Sequence, residues 1–321
     1  MNEVKPKIIF WGSPEFSLPA LNACCTEAEV LAVVTQPDKP RGRGHELLPT
    51  AVKAAALERN IPVYAPRSLR KIDEEAERLL AFLNKKEADF FVVVAYGNLL
   101  PESVLSLPLK APVNIHGSLL PRWRGAAPIQ RALEAGDAET GVSLQRMVMA
   151  LDAGDVYLEK KCSLSKDDKS AEVFDRLSLL GSELITEFLK SDFESLVPTP
   201  QDPALITHAA KIDKQEAYWA PNWTAEQTHN KVRAFHLWPT VKIKFTDLQG
   251  KVFEVKVHSS KNSNEKVKEK SSLIKKDGRV YLSDASGSCV ELLSLQVPGK
   301  GPAEAFQVFQ NIEKSSWNLI K

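Results

Sequence analysis

Phe90-Phe91-Val92-Val93-Val94-Ala95 is an apolar run with no polar position in it. A strand with one wet face alternates apolar and polar residues. A strand without alternation is covered on both faces, the signature of a parallel sheet sandwiched between helices. The run follows Glu74 to Lys86, an amphipathic helix with Leu79, Leu80 and Leu83 on one side. The same succession recurs upstream. Lys7 to Gly12 reads as a short buried strand ending in a turn, Pro14-Glu15 to Ala23 as the helix behind it, and Val30 to Thr35 as a second apolar run. Thr50 to Asn60 reads as a helix and Ile61 to Tyr64 as another short strand. Strands alternating with helices predict an α/β, Rossmann-like open sheet with right-handed crossovers. Asp167 to Leu189 closes this part as a long helix, with Val173, Leu177, Leu180 and Leu184 at helical spacing.

The pattern then changes. Asp192 to Asp202 carries Pro198 and Pro200 and reads as an extended linker. Thr224-Ala225-Glu226-Gln227 has the capping-box form that starts a helix, continuing to Phe235. Val241 to Phe245 and Phe253 to Val257 alternate cleanly, and Arg279 to Leu282 and Cys289 to Leu295 are further strands. Lys261 to Lys276 is polar and charged, as expected of a mobile excursion. Short strands around a small core suggest a little β-barrel of the oligonucleotide-binding type. The expected organisation is a domain over 1–190, a linker over 191–207 and a barrel over 208–321.

At 321 residues the chain is comfortable for two domains. Its longest apolar run is far too short to span a bilayer. Lys5 and Lys7 are followed only by Ile8 to Trp11, which is no signal peptide. Cys24, Cys25, Cys162 and Cys289 form no C-x-x-C pair and have no His at ligand spacing, so neither a metal site nor a disulfide framework is expected, and a reducing cytoplasm fits. From residue 208 onward, 16 Lys and 2 Arg stand against 4 Asp and 8 Glu, a net +6, while the remainder carries −5. A basic second half suggests a polyanionic partner.

The candidate site begins in Val113-Asn114-Ile115-His116-Gly117-Ser118-Leu119-Leu120-Pro121, followed by Arg122-Trp123-Arg124-Gly125-Ala126-Ala127-Pro128. Side chains alternate along a strand, so Asn114 and His116 share one face and Val113 and Ile115 the other. Open α/β sheets bind ligands beyond the carboxyl ends of their strands. Asp152, before Ala153-Gly154, lies in a loop able to fold close to a ligand. Gly12-Ser13-Pro14 after the first strand is not a G-x-G-x-x-G cradle, which argues against a dinucleotide.

Asn-x-His-x-Ser-Leu-Leu-Pro followed by Arg-Gly-Ala-Ala-Pro resembles the signature of the folate-dependent formyltransferases, in the form found in those acting on methionyl-tRNA. The resemblance implies a donor, 10-formyltetrahydrofolate, and an acceptor, methionyl-initiator tRNA, acted on by a monomer with no metal. It also implies that Asn114, His116 and Asp152 are the catalytic trio. Asn114 would offer amide donors to the oxyanion, His116 a cationic donor when protonated, and Asp152 a proton relay. Ser118, Leu119, Leu120 and Pro121 would contact the folate, with Tyr96, Gly97, Asn98 and Leu99 forming the wall around its pterin ring.

Gln36-Pro37-Asp38-Lys39-Pro40-Arg41-Gly42-Arg43-Gly44 is similar to the loop with which such enzymes enter the tRNA acceptor end, and implies tRNA contacts for Lys39, Arg41 and Arg43. His45-Glu46 and Ala51 depart from that pattern. Arg233-Ala234-Phe235 before Trp238-Pro239, and Leu292 to Gln296 before Gly299-Lys300, are family-like too. A sugar-nucleotide formyltransferase shares the core motif, but the loop and the basic second half weigh against it. An RNA-binding barrel without activity would leave Asn114, His116 and Asp152 unexplained.

Overall fold

The computed structural model describes residues 5–41 and 46–320. The chain divides into two compact units that do not follow chain order. The first takes the residues up to Gly125, Glu139–Ser163 and Phe174–Ala209; the second takes Ala126–Ala138, Leu164–Val173 and Ala210 onward.

The first unit is built on a seven-stranded sheet of β1 (Lys7–Gly12), β2 (Glu29–Val34), β3 (Val63–Tyr64), β4 (Phe90–Val94), β5 (Ala111–His116), β6 (Glu139–Arg146) and β7 (Val156–Ser163). The spatial order is β7-β6-β5-β4-β1-β2-β3. β1 to β5 pair in parallel, while β6 pairs antiparallel with both β5 and β7. β4 is buried at every residue, as its lack of alternation requires. On one face of the sheet Ile9, Trp11, Phe91 and Val93 pack with Leu79 and Leu83 of helix Glu74–Leu83. On the other, Ile115 lies so close to Gly181 of helix Ser170–Lys190 that a Cβ there would meet its Cγ2 at 3.2 Å. Phe90, Phe188 and Phe193 meet edge to face beside it, a geometry aromatic rings favour.

The second unit carries an antiparallel half-barrel sheet. Its strands are β8 (Val241–Thr246), β9 (Val252–Lys266), β10 (Leu273–Lys276), β11 (Arg279–Ser283), β12 (Ser288–Gln296) and β13 (Asn318–Leu319), in the order β10-β11-β12-β9-β8-β13. The expected α/β sheet and small β-domain are both present. The expected mobile excursion over Lys261–Lys276 is not: β9 continues to Lys266 and β10 starts at Leu273. Backbone pairing with β12, through an irregularity between Asn262 and Lys266, holds a stretch whose side chains are mostly outside the core. Polarity there reports exposure, and a ladder needs only the backbone.

The capping box forms as read: Thr224 accepts from the Gln227 N–H, and the Gln227 side chain accepts from the Thr224 N–H. The helix it starts, Ala225–Ala234, buries polar residues and ties remote segments into the unit. Arg233 donates to Asn230 Oδ1 (2.9 Å), to the Ser165 carbonyl (3.2 Å) and to the Leu133 carbonyl (3.1 Å). Lys231 pairs with Glu134, and Arg131 with Glu216 at 2.7 Å. Helix Pro128–Ala135 is thereby held in the second unit.

His229 on the same helix lies between the Lys166 carbonyl (Nε2, 2.8 Å) and Ser260 Oγ (Nδ1, 2.9 Å). Burial holds its imidazole below the ordinary value, outweighing the opposite pull of the Lys166 hydrogen bond and of Asp167. An unfolded imidazole titrates near about 6.5. As pH falls through that value the unfolded chain takes up a proton that folded His229 resists, so stability is lost towards acid. Urea unfolding between about pH 7 and pH 5 should show that loss, and His229→Gln should flatten it.

Candidate active site

Asn114 and His116 end β5 on the face that also carries Val93 of β4 and Ser143 and Gln145 of β6, since Asn114 pairs with Val93 and Gln145, and His116 with Ser143. The alternation expected from the sequence is what places them together. His116 is buried, and its Nε2–H donates to the Trp123 carbonyl at 2.8 Å. A carbonyl only accepts, so Nε2 carries a hydrogen in this arrangement. Nδ1 then faces Asp152 Oδ1 at 3.7 Å, beyond hydrogen-bond length.

Asp152 has a left-handed backbone, φ 51°. Its Oδ2 accepts from the Gly125 N–H and its Oδ1 from Gln145 Nε2, both at 2.9 Å. The loop doubles back on the end of β6, where a Cβ on Gly154 would stand 1.7 Å from the Arg146 carbonyl oxygen. Only glycine fits, which is how the small residues after Asp152 bring its carboxylate to the site.

The segment expected as a linker also reaches this site. Thr199 exchanges two backbone hydrogen bonds with Val156 of β7. Gln201 accepts from Arg124 Nε at 2.9 Å and donates through Nε2 to the carbonyls of Asp152 (2.9 Å) and Gly154 (2.7 Å). Thr207 Oγ1 accepts from the Trp123 N–H at 2.9 Å, and His208–Ala209 pair in parallel with Arg124–Gly125. An extended strap thus secures both the Trp123–Gly125 turn and the Asp152 loop. Nothing local in the sequence marks Gln145, Gln201 or Thr207, because their partners are remote.

The folate-wall residues are arranged unevenly. Tyr96 is buried edge-on against Trp11, ring centres 5.3 Å apart, and burial pushes its phenol up to about 12. Gly97 adopts φ 85°, with Gln36 Nε2 2.7 Å from where a Cβ would be. Asn98 accepts from Gln36 and donates to the Arg67 carbonyl, both at 3.4 Å. Leu99 is 53% exposed, an apolar surface beside this turn that suits a flat ring. Ser118 Oγ donates to the Arg122 carbonyl at 2.7 Å, Leu119 packs over Gly141, and the Leu120 N–H donates to Ser143 Oγ at 3.0 Å. Leu120 is buried and Pro121 half-buried, so Ser118 to Pro121 form a pinned turn offering backbone to a ligand.

Lys39 donates to Gln36 Oε1 at 2.5 Å, and the stretch Lys39–Arg41 pairs with Glu46–Leu48. Lys53 and Asp38, 2.8 Å apart, anchor its base. Arg43 lies outside the described residues. Among the described residues no group of three or more His, Cys, Asp or Glu could hold a metal ion, and no helix is long and apolar enough to cross a membrane.

The fold is that of an N-formyltransferase. The solved N-formyltransferase from Helicobacter canadensis, in complex with folinic acid and dTDP-3-aminofucose, superposes with a TM-score of 0.66 at 14% identity, over 90% of this chain and 99% of that one. The chain belongs to the formyl transferase family: residues 7–189 match its Formyl transferase model and 211–312 its C-terminal domain model. Within that family it is 46% identical to methionyl-tRNA formyltransferase from Methylococcus capsulatus over 251 residues, which is 78% of this chain and 79% of the relative. It is 44% identical to methionyl-tRNA formyltransferase from Xylella fastidiosa over 239 residues, 74% and 76% of the two chains. The resemblance read from the motif is borne out, and the chain is a formyl-transferring enzyme.

Gln201→Leu removes the three hydrogen bonds that link Arg124 to the Asp152 loop. Steady-state kinetics should show formyl transfer falling roughly tenfold or more, since a lost buried hydrogen bond costs about 1–3 kcal/mol. Unchanged turnover would mean that the strap does not position the site.

Proposed function

We propose that this enzyme transfers the formyl group of 10-formyltetrahydrofolate to the amino group of methionyl-initiator tRNA, acting in the cytoplasm as a monomer. The observation that carries the reading is the meeting of Asn114, His116 and Asp152 at the end of β5, in a chain about 45% identical to enzymes named for that reaction. We assign catalysis to 1–190 and tRNA binding to 208–321, whose net charge of +6 suits a polyanion. The intervening 191–207 serves both as connection and, through Gln201 and Thr207, as support for the site.

In the reaction the bond from the formyl carbon to the folate nitrogen breaks as the bond to the methionyl nitrogen forms. The amine gives up a proton and the departing nitrogen gains one. A free α-amino group titrates near about 8, so the nucleophile needs little activation. The work left to the protein is to meet charge on the formyl oxygen and to move the proton. Asn114 supplies amide N–H donors to that oxygen. His116, held by Trp123 through Nε2, presents Nδ1 as the second donor when protonated. Asp152, fixed from two sides, carries the proton between the two nitrogens. Leu99 and the turns 95–98 and 118–121 hold the folate, while Lys39, Arg41 and Arg43 contact the acceptor end of the tRNA.

The direct test is methionine-charged initiator tRNA with formyl donor, followed by detection of formylmethionine. Formylation of an amino sugar nucleotide in its place would overturn the reading. Asn114→Ala should lower kcat about 10²–10³-fold, and His116→Ala or Asp152→Asn about 10²–10⁴-fold, with the fold intact by circular dichroism. Near-normal turnover by His116→Ala would sink the mechanism.

The loop is tested separately. Arg43→Ala should raise KM for tRNA and leave folate binding unchanged, with a smaller deficit for Arg43→Lys, because a guanidinium grips phosphate with paired hydrogen bonds. The deficit should shrink at high salt, where phosphate contacts of the unaltered enzyme weaken too.

A further inference from the structure

Gln145 lies near the end of β6, the strand next to the sheet's edge, 2% exposed and directly across the β5–β6 ladder from Asn114. Its Nε2 donates to Asp152 Oδ1 at 2.9 Å, and its Oε1 is buried with no hydrogen-bond partner among the described residues. These facts are linked. An ionised carboxylate only accepts, so the amide must turn its nitrogen to Asp152 and its oxygen elsewhere. A buried amide oxygen without a donor is costly. That cost is accepted in order to hold Nε2 on the carboxylate.

We propose that Gln145 is a positioning residue of the formyl-transfer site, orienting the Asp152 carboxylate through Nε2. It touches no reacting atom. Asp152 Oδ2 is fixed by the Gly125 backbone, so Oδ1 is the oxygen whose direction depends on a side chain, and that side chain is Gln145. Oδ1 is also the oxygen nearer His116 Nδ1, at 3.7 Å, so the same contact sets how the carboxylate meets the imidazole.

The inference rests on the proposed reaction. Formyl transfer to methionyl-tRNA by the unaltered enzyme is measured first; its absence overturns that reading, whereas its presence leaves Gln145 to be decided by its own variants. Gln145→Met keeps length and removes both polar ends. Gln145→Glu keeps the shape and an acceptor but sets a second carboxylate against Asp152. Both should fold, as judged by near-UV circular dichroism and thermal melting. Both should lower kcat about 10- to 100-fold, with KM for folate and for tRNA within roughly threefold of the unaltered enzyme.

A double-mutant cycle separates positioning from general packing. Added to Asp152→Ala, the Gln145→Met change should cost less than about threefold more, because its route to the chemistry is already cut. Multiplicative losses in that cycle, or a kcat within twofold of the unaltered enzyme for Gln145→Met, would overturn the proposal. Should Gln145→Met fail to fold, the same cycle with Gln145→Glu decides, strict multiplicativity again counting against it.

Discussion

A carboxylate drawn towards the interior must have its lone pairs met by donors fixed in place, and Asp152 is the group around which this site is arranged. The backbone of Gly125 and the side chain of Gln145 each give it one N–H. Those donors come from different places in the fold: a turn beyond β5 and a strand next to it. Each is in turn held by something else, Gly125 by pairing with Ala209 and Gln145 by the sheet. Removing any support leaves a charged group partly unsatisfied, which is why so much of the first unit's detail converges on this side chain.

The sheet is the rigid part of the device. β4 and β5 run parallel through its centre, covered on both faces, and carry Val93, Asn114 and His116 to their carboxyl ends. The irregular parts are draped over that edge and fastened to each other. The 118–125 turn is pinned by Ser143 and Thr207, and the Asp152 loop by Gln201 and by the absence of a side chain at Gly154. Loops that carry chemistry can be irregular only where such fastenings restore the precision that a ladder gives for nothing.

Much of this was legible in the residues. The non-alternating run at Phe90 gave the buried parallel strand, the two-residue spacing of Asn114 and His116 gave their common face, and Thr224 with Gln227 gave a helix start. Each is a local rule with a fixed period or a fixed cap geometry. Polarity misled at Lys261 to Lys276, because β9 and β10 need backbone partners and the sequence shows only side chains. The stretch expected as an extended linker opens with a short 3-10 turn, Phe193–Ser195, and nothing local around Pro198 and Pro200 marks Gln201 as reaching Asp152.

The sequence by itself therefore determined the fold class, the residues of the motif and the chemistry they resemble, since those depend on side-chain identity and short-range periodicity. The tertiary structure decided which groups surround Asp152, which nitrogen of His116 is spent on Trp123, and that helix Pro128–Ala135 is bound into the second unit through Arg233, Lys231 and Arg131. Those outcomes hang on contacts between residues far apart in the chain. The entropy of closing such long loops is met by the sum of many burials, so no single stretch of sequence carries the information for any one of them.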